Sequence, residues 1–340
     1  MKTYKELNNY VNSLYDDDIE ILKVIIDTID VSNTMNNVVH KANGYTCPYC
    51  KSININKNGK KNGKQRYICK ECGKYFIPIS KSMFIKTHHK YINWLDFIHC
   101  ELLGLSLEEE SYECDISKTT AFYWRHKLYS YLAISSKPIL SGVVQYDSTY
   151  LPINLKGTKQ GKMPRKSKKR GNSDNIRGIS HIKVCILTAI DENDNLFISI
   201  AGTGRQTTSK MKILEPHIKN CNLFICDGAH AVVTMAQKNN IPVQVVKAKT
   251  FTNENHYNLN EINQIHKEIH SDLRCRVGVS TRHLQGYLDM FCFKKILKYT
   301  TEYHDRNRKC LDNSIKSNII TTIKDIIIKA WPFDTNDMEF

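Results

Sequence analysis

"SGVVQYDSTYLPINLKG", residues 141–157, is an apolar, β-branched run with a carboxylate, Asp147, in its interior. Strand interiors disfavour aspartate, so the position demands a partner for that charge. Two more strand-like runs follow, "HIKVCILTAID" (181–191) and "NLFISIAGTG" (195–204), joined by the turn "DENDN". Next come a helical pattern, "SKMKILEPHI" (209–218), and a buried strand, "NLFICDG" (222–228), that stops at an Asp-Gly turn. A helix "HAVVTMAQKNN" (230–240), a short strand "VQVVK" (243–247) and a helix "NLNEINQIHKEIHSDL" (258–273) complete the series.

The order strand, strand, strand, helix, strand, helix, strand, helix predicts an α/β domain of the ribonuclease-H-like type. There the first strand lies beside the fourth and parallel to it. Asp147 and Asp227, 80 positions apart in sequence, then become neighbours. Two close carboxylates repel unless cations lie between them, and hard oxygen ligands suit Mg2+ or Mn2+. A pair of such ions supports in-line attack on a phosphodiester. The plain alternatives are a strand aspartate facing solvent and an ordinary Asp-Gly turn. The third ligand expected from the last helix is Asn263, one turn before His266 and two before His270 on one face. Glu261 and Glu268 are acidic alternatives, rotated away from that face on a helical wheel.

The whole chain has 340 residues, which implies two or three domains. A net charge of +15 favours a polyanionic partner, nucleic acid before membrane. No run approaches the ~20 apolar residues of a membrane span, and the N-terminus lacks a signal-peptide layout. The expected location is the cytoplasm, associated with the nucleoid.

Of twelve cysteines, Cys47, Cys50, Cys69 and Cys72 form two CxxC pairs eighteen residues apart. That spacing predicts a structural Zn2+ held by four thiolates in a zinc ribbon over 44–80. Lys51, Lys57, Lys60, Lys61, Lys64 and Arg66 lie between the pairs with no acid among them. Residues 1–43 read as an N-terminal helical segment, and 81–135 as a helix-turn-helix-like region. In the latter, Ser117 caps a second helix whose apolar stripe is Ala121, Trp124 and Leu128. Lys118, Thr119, Thr120, Tyr123 and Arg125 are then expected to face DNA. The catalytic domain spans 136–300, with a basic insertion at 156–183 that holds ten Lys and Arg and one acid, Asp174. Arg165, Lys166, Lys168, Lys169 and Arg170 of this insertion are candidate backbone clamps on DNA. A helical tail occupies 301–340.

Together these motifs resemble bacterial insertion-sequence transposases that join a zinc ribbon to a DDE-type domain (ISXO-like). The resemblance is to the group with an Asp-Asp-Asn or Asp-Asp-Glu triad followed by a lysine. It covers roughly residues 45–295 and rests on the ribbon, "ISKTTAFYWRHKL", "VVQYDSTYLPINLKG", "MPRKSKKRG", "RGISHIKVCILTAIDENDNL", "FICDGAHAV", "INQIH" and "RVGVSTRHLQGYLDMF". It implies that Asp147, Asp227 and Asn263 bind the catalytic metal. The implied activity is cutting and rejoining DNA at terminal inverted repeats. The implied partners are double-stranded DNA, both element ends and target, and further copies of the chain in a homodimer or larger synaptic complex. Ser148 stands where glutamate is common in the family. His270 stands where a lysine is expected, seven residues after the third triad member, and Lys267 is one turn closer. The alternative is a repurposed, catalytically impaired relative acting as a DNA-binding repressor.

Overall fold

A computed structural model describes residues 39–41, 43–61, 64–85, 91–132, 137–158, 183–246, 257–300, 306, 310 and 321–334. The N-terminal segment 1–38 and the basic stretch with Arg165, Lys166, Lys168, Lys169 and Arg170 lie outside the described residues. What is described divides into two compact units, one ending at Ile98 and one beginning at His99.

The first unit holds a three-stranded antiparallel sheet of β1 (Ile55–Lys61), β2 (Lys64–Cys69) and β3 (Tyr75–Phe76), in that order. The four cysteines of the CxxC pairs sit at its end, where Ile55, Tyr67 and Phe76 pack against Cys47, Cys69 and Cys72. Such a patch is too small to be a hydrophobic core in its own right.

In the second unit, the end of helix α1 (Tyr91–Leu103) is followed by α2 (Leu107–Glu113) and α3 (Lys118–Leu132). Ser106 and Glu109 form a reciprocal capping box at the start of α2. The Ser117 hydroxyl accepts the Thr120 amide at 3.1 Å, as expected of the cap of α3. The helical pair belongs to the same compact unit as the sheet that follows.

That sheet has five strands: β4 (Leu140–Pro152), β5 (Lys183–Asp191), β6 (Leu196–Thr203), β7 (Ile218–Cys226) and β8 (Val243–Val245). Their spatial order is β6-β5-β4-β7-β8. β4 pairs antiparallel with β5 and parallel with β7, the arrangement the order of elements predicts. The one-turn helix α4 (Thr208–Met211) and α5 (His230–Lys238) contribute to the core on one face of the sheet, and α6 (Asn260–Cys275) and α7 (Leu284–Thr300) to the core on the other. A short α8 (Ile323–Ile327) lies in the C-terminal tail.

Strand alternation sorts the side chains. Val184, Ile186 and Ile190 of β5 join Ile262, Ile265 and Ile269 of α6, whereas Cys185, Leu187 and Ala189 join Val232 and Met235 of α5. β5 is therefore apolar on both sides, as a central strand with two covered faces must be. The three isoleucines of α6 are each at most 4 % exposed. Burial of each is worth on the order of 1.5–3 kcal/mol, which fixes the roll of that helix on the sheet.

β7 begins at Ile218, four residues before the apolar run that marks it in the sequence. The added residues, "IKNC", pair with the start of β4 across a bulge in which Gly142 takes φ +67°. A Cβ at Gly142 would lie 1.9 Å from Glu192 Oε1 and displace that exposed side chain, but it is the positive φ that favours glycine in the bulge.

Candidate functional site

Asp147 and Asp227 come together through strand register. Gln145 is matched with Ile225 in the parallel pair β4–β7, and each aspartate lies two residues beyond its matched residue. Both therefore stand at the same level at the carboxyl end of β7. Asp227 is exposed and follows the last residue of the strand, and its Oδ1 accepts the Ala229 amide at 3.0 Å. Gly228, at φ +83°, turns the chain there; a Cβ on it would meet Val245 of β8 at 2.7 Å.

Asp147 is more enclosed, with 23 % of its side chain accessible. Its Oδ1 accepts the Ser148 amide at 2.7 Å. Burial pushes its carboxyl up to about 6, and the charge of Asp227 pushes the same way against the Ser148 amide. Two carboxylates at one level of adjacent strands are a donor set suited to a hard divalent cation.

α6 lies along β4 and runs in the same direction. Glu261 Oε2 accepts from Gln145 Nε2 at 3.1 Å, His266 Nδ1 faces Asp147 Oδ2 at 3.8 Å, and His270 Nε2 is 3.2 Å from Thr149 Oγ1. Nine helical residues rise about 13.5 Å and four strand residues about 13 Å, so the two elements keep step. Glu261 thus lies against β4 two residues before Asp147, although a helical wheel turns it away. Glu268 pairs with Lys295 of α7 instead.

Asn263 is exposed, one turn before His266, and its amide donates to the Leu259 carbonyl at 3.0 Å. Leu259 packs with Ile225 of β7. Lys267 and His270 are exposed on the same helix. His266, which the sequence offers only as a marker of the helix face, is 9 % exposed, and its Nε2 is enclosed without a hydrogen-bond partner. Burial, then His270, holds its imidazole down at about 4. A single histidine on an amphipathic helix carries no signal that would have singled it out.

The four cysteines converge in the other unit. Their Sγ atoms all lie within 4.8 Å of one another, with Cys47–Cys72 at 3.8 Å and Cys50–Cys69 at 3.5 Å. A Zn–S bond of about 2.3 Å gives a tetrahedron with edges of about 3.8 Å, so the set could hold a metal such as zinc. Each CxxC is a tight turn closed by a backbone bond, Lys51 N to Cys47 O and Gly73 N to Cys69 O, with Lys51 and Gly73 left-handed. The Cys72 amide helps hold the Cys69 thiol down at about 7, which eases loss of its proton.

On α3, Lys118 and Thr119 are exposed and Thr120 and Tyr123 half-buried, with Lys118 Nζ paired to Glu108 of α2 at 2.6 Å. Ala121, Trp124 and Leu128 form the buried stripe. Arg125 does not join the outward face: it is 0 % exposed and cannot touch DNA. Its Nε donates to Glu101 Oε1 at 2.5 Å and its Nη2 lies 2.6 Å from Glu110 Oε1. Arg276, just past α6, donates to Glu101 Oε2 at 2.8 Å, and Tyr129 donates to the same oxygen at 2.7 Å. Burial alone would raise Glu101, but Arg276 and Arg125 hold it down at about 2. Burial and the charge of Glu101 push Glu110 up to about 10. Neither oxygen of Glu110 accepts a well-directed hydrogen bond. The partners of Arg125, from Glu110 to Tyr287, are 15 to 162 positions away in sequence, which is why a helical wheel misplaces it.

No protein-family model matches the chain. It is 28 % identical over 137 residues to a protein of the transposable element ISH50 of Halobacterium salinarum, described as uncharacterized. The match covers 40 % of this chain and 45 % of that protein, so the chain spans less than half the length of this relative. Among solved structures, a pre-cleavage Mos1 transpososome aligns at 13 % identity and TM-score 0.25, covering 67 % of this chain and 81 % of that one. The Mos1 strand transfer complex aligns at 12 % and 0.28, covering 66 % and 79 %. Such TM-scores do not define a common fold. No helix among the described residues is long and apolar enough to cross a membrane.

Proposed function

We propose that the chain is an insertion-sequence transposase of the DDE type. In this reading a ribonuclease-H-like domain cuts and joins DNA at the ends of its own element. The observation that carries it is the pairing of Asp147 and Asp227 at one level of two parallel strands, with the half-buried carboxyl of Asp147 raised by burial and then by its neighbour. A relative encoded in a transposable element supports the same reading.

Asp147 and Asp227 would hold the metal, Mg2+ or Mn2+, and Asn263 would close the site with its amide oxygen. Leu259 packs on Ile225; one helical turn on from Leu259 rises about 6 Å and two strand residues on from Ile225 about 6.6 Å. Asn263 and Asp227 therefore climb together. Bound divalent ions would activate a water or 3′-hydroxyl and stabilise the leaving oxygen.

The other groups serve DNA. His270 occupies the position of the expected lysine, and its tie to Thr149 holds it over β4; Lys267 supplies positive charge one turn nearer Asn263. Lys118, Thr119, Thr120 and Tyr123 on α3 form the reading face. A zinc-loaded ribbon presents Lys57, Lys60 and Arg66 to phosphates, with the insertion at 156–183 as a further clamp. Synapsis of two ends requires a dimer or larger assembly.

The test uses DNA carrying the sequence that flanks the gene, with Mg2+ or Mn2+ added. Asp147→Asn and Asp227→Asn should each abolish end cleavage while end binding stays within about threefold. Cleavage that survives both changes refutes the assignment, and a wild-type chain that binds ends without cutting them makes it a repressor.

A further inference from the structure

We infer that His266 is an additional ligand of the metal held by Asp147 and Asp227, contributing its Nδ1 and biasing the site toward Mn2+. This rests on the reading above, which assigns no role to His266.

Two donor atoms lie close together without bonding each other. Nδ1 of His266 and Oδ2 of Asp147 are 3.8 Å apart, too far for a direct hydrogen bond. Around an octahedral ion with bonds of about 2.1 Å, neighbouring ligands are about 3.0 Å apart and opposite ones about 4.2 Å. The observed 3.8 Å lies between these two values, so a shift of several tenths of an ångström in either side chain brings the pair to the adjacent spacing. The imidazole cannot simply turn away. Its helix is pinned by Ile262, Ile265 and Ile269, and its side chain is only 11 % accessible.

Both tautomers are poorly served without an ion. With the proton on Nδ1, the lone pair of Nε2 is enclosed and unpartnered. With the proton on Nε2, the Nδ1 lone pair faces a carboxylate oxygen. A buried polar atom without a partner costs on the order of 1–3 kcal/mol. A cation between Nδ1 and Oδ2 turns the second arrangement from repulsive to attractive.

The donor set then comprises two carboxylates, an amide oxygen and an imidazole nitrogen. Mg2+ keeps to oxygen ligands and water, whereas imidazole binds the transition metals more firmly. Manganese accepts both ligand types, so His266 gives the site a preference that two carboxylates and an amide would lack.

Pulsed electron paramagnetic resonance on the full-length, zinc-loaded chain tests this, with Mn2+ added as the probe. Bound Mn2+ should show 14N modulation, replaced by the 15N pattern when histidine is 15N-labelled. This readout needs no substitution and no catalysis. His266→Gln should remove the modulation and weaken Mn2+ binding about tenfold, with Mg2+ binding changed less than threefold. His270→Gln should keep the modulation. Mn2+ that depends on Asp147 and Asp227 but shows no histidine nitrogen overturns the inference and leaves the transposase reading standing. Modulation that persists in His266→Gln overturns it as well. Mn2+ binding unchanged by Asp147→Asn and Asp227→Asn overturns both.

Discussion

The buried ion network offers a sharp test, because its two glutamates should respond oppositely to the same substitution. Glu101 is 0 % exposed and shared by Arg125, Arg276 and Tyr129. Its carboxyl is held at about 2 instead of the ordinary 4.5. Glu101→Gln removes that charge and leaves two buried guanidiniums facing an amide. The expected loss, on the order of 3–5 kcal/mol, is a large part of a typical stability of 5–15 kcal/mol. Glu110→Gln should be nearly silent. Glu110 is pushed up to about 10 by burial and by Glu101, so it already carries a proton near neutral pH. Its folded-state affinity for that proton exceeds the unfolded one, so the wild-type residue costs stability as pH rises above about 4.5. At pH 8 the glutamine variant should equal or exceed the wild type. Urea unfolding followed by tryptophan fluorescence measures both, since Trp124 lies on α3 beside Arg125. Equal losses in the two variants, or a larger loss for Glu110→Gln, would refute the assignment of charge within the network.

Other outcomes follow from single features. Asp147→Asn should stabilise the fold by about 1–2 kcal/mol at pH 7.5 without added divalent ion, because the raised carboxyl is costly above its ordinary range; the gain should shrink toward pH 4 in thermal melts. Cys69→Ser, or a strong chelator, should unfold the first unit's cysteine end while the five-stranded sheet remains; zinc content and amide exchange would show it, and an unchanged exchange pattern would count against a metal staple. His126 and His283 stack at 4.2 Å, and burial followed by nearby Lys329 and Arg282 holds His283 down at about 4. Their contribution is complete above about pH 6.5 and is lost as pH falls toward 4, so His283→Gln should flatten the acid limb of a stability–pH curve. Gly228→Ala should cost on the order of 1–3 kcal/mol through positive φ and the clash with Val245, readable as a lower urea midpoint.

Much of this architecture is written in local patterns. The apolar, β-branched runs of β4, β5 and β6 and the turn between the last two fix a hairpin. The order of later elements then places β7 beside β4, so the convergence of positions 147 and 227 follows from topology. The CxxC spacing and the Ser117 cap are equally local. Features that depend on distant partners are not legible. Arg125 sits beside the apolar stripe of α3 and reads as surface until Glu101, Glu110 and Arg276 close around it. The early start of β7 escapes notice because "IKNC" lacks the apolar run of a buried strand. Glu261 and His266 gain their meaning only from the roll that three isoleucines impose on α6.

β5, hydrophobic on both sides, has a consequence for the newborn chain. The helices that shield one of its surfaces are complete only at Thr300, roughly 110 residues after the strand leaves the ribosome. At about 5–20 residues per second the nascent protein spends several seconds or longer with that ribbon of valine and isoleucine uncovered. Products truncated before residue 257 should therefore clump unless a holdase chaperone reaches them first.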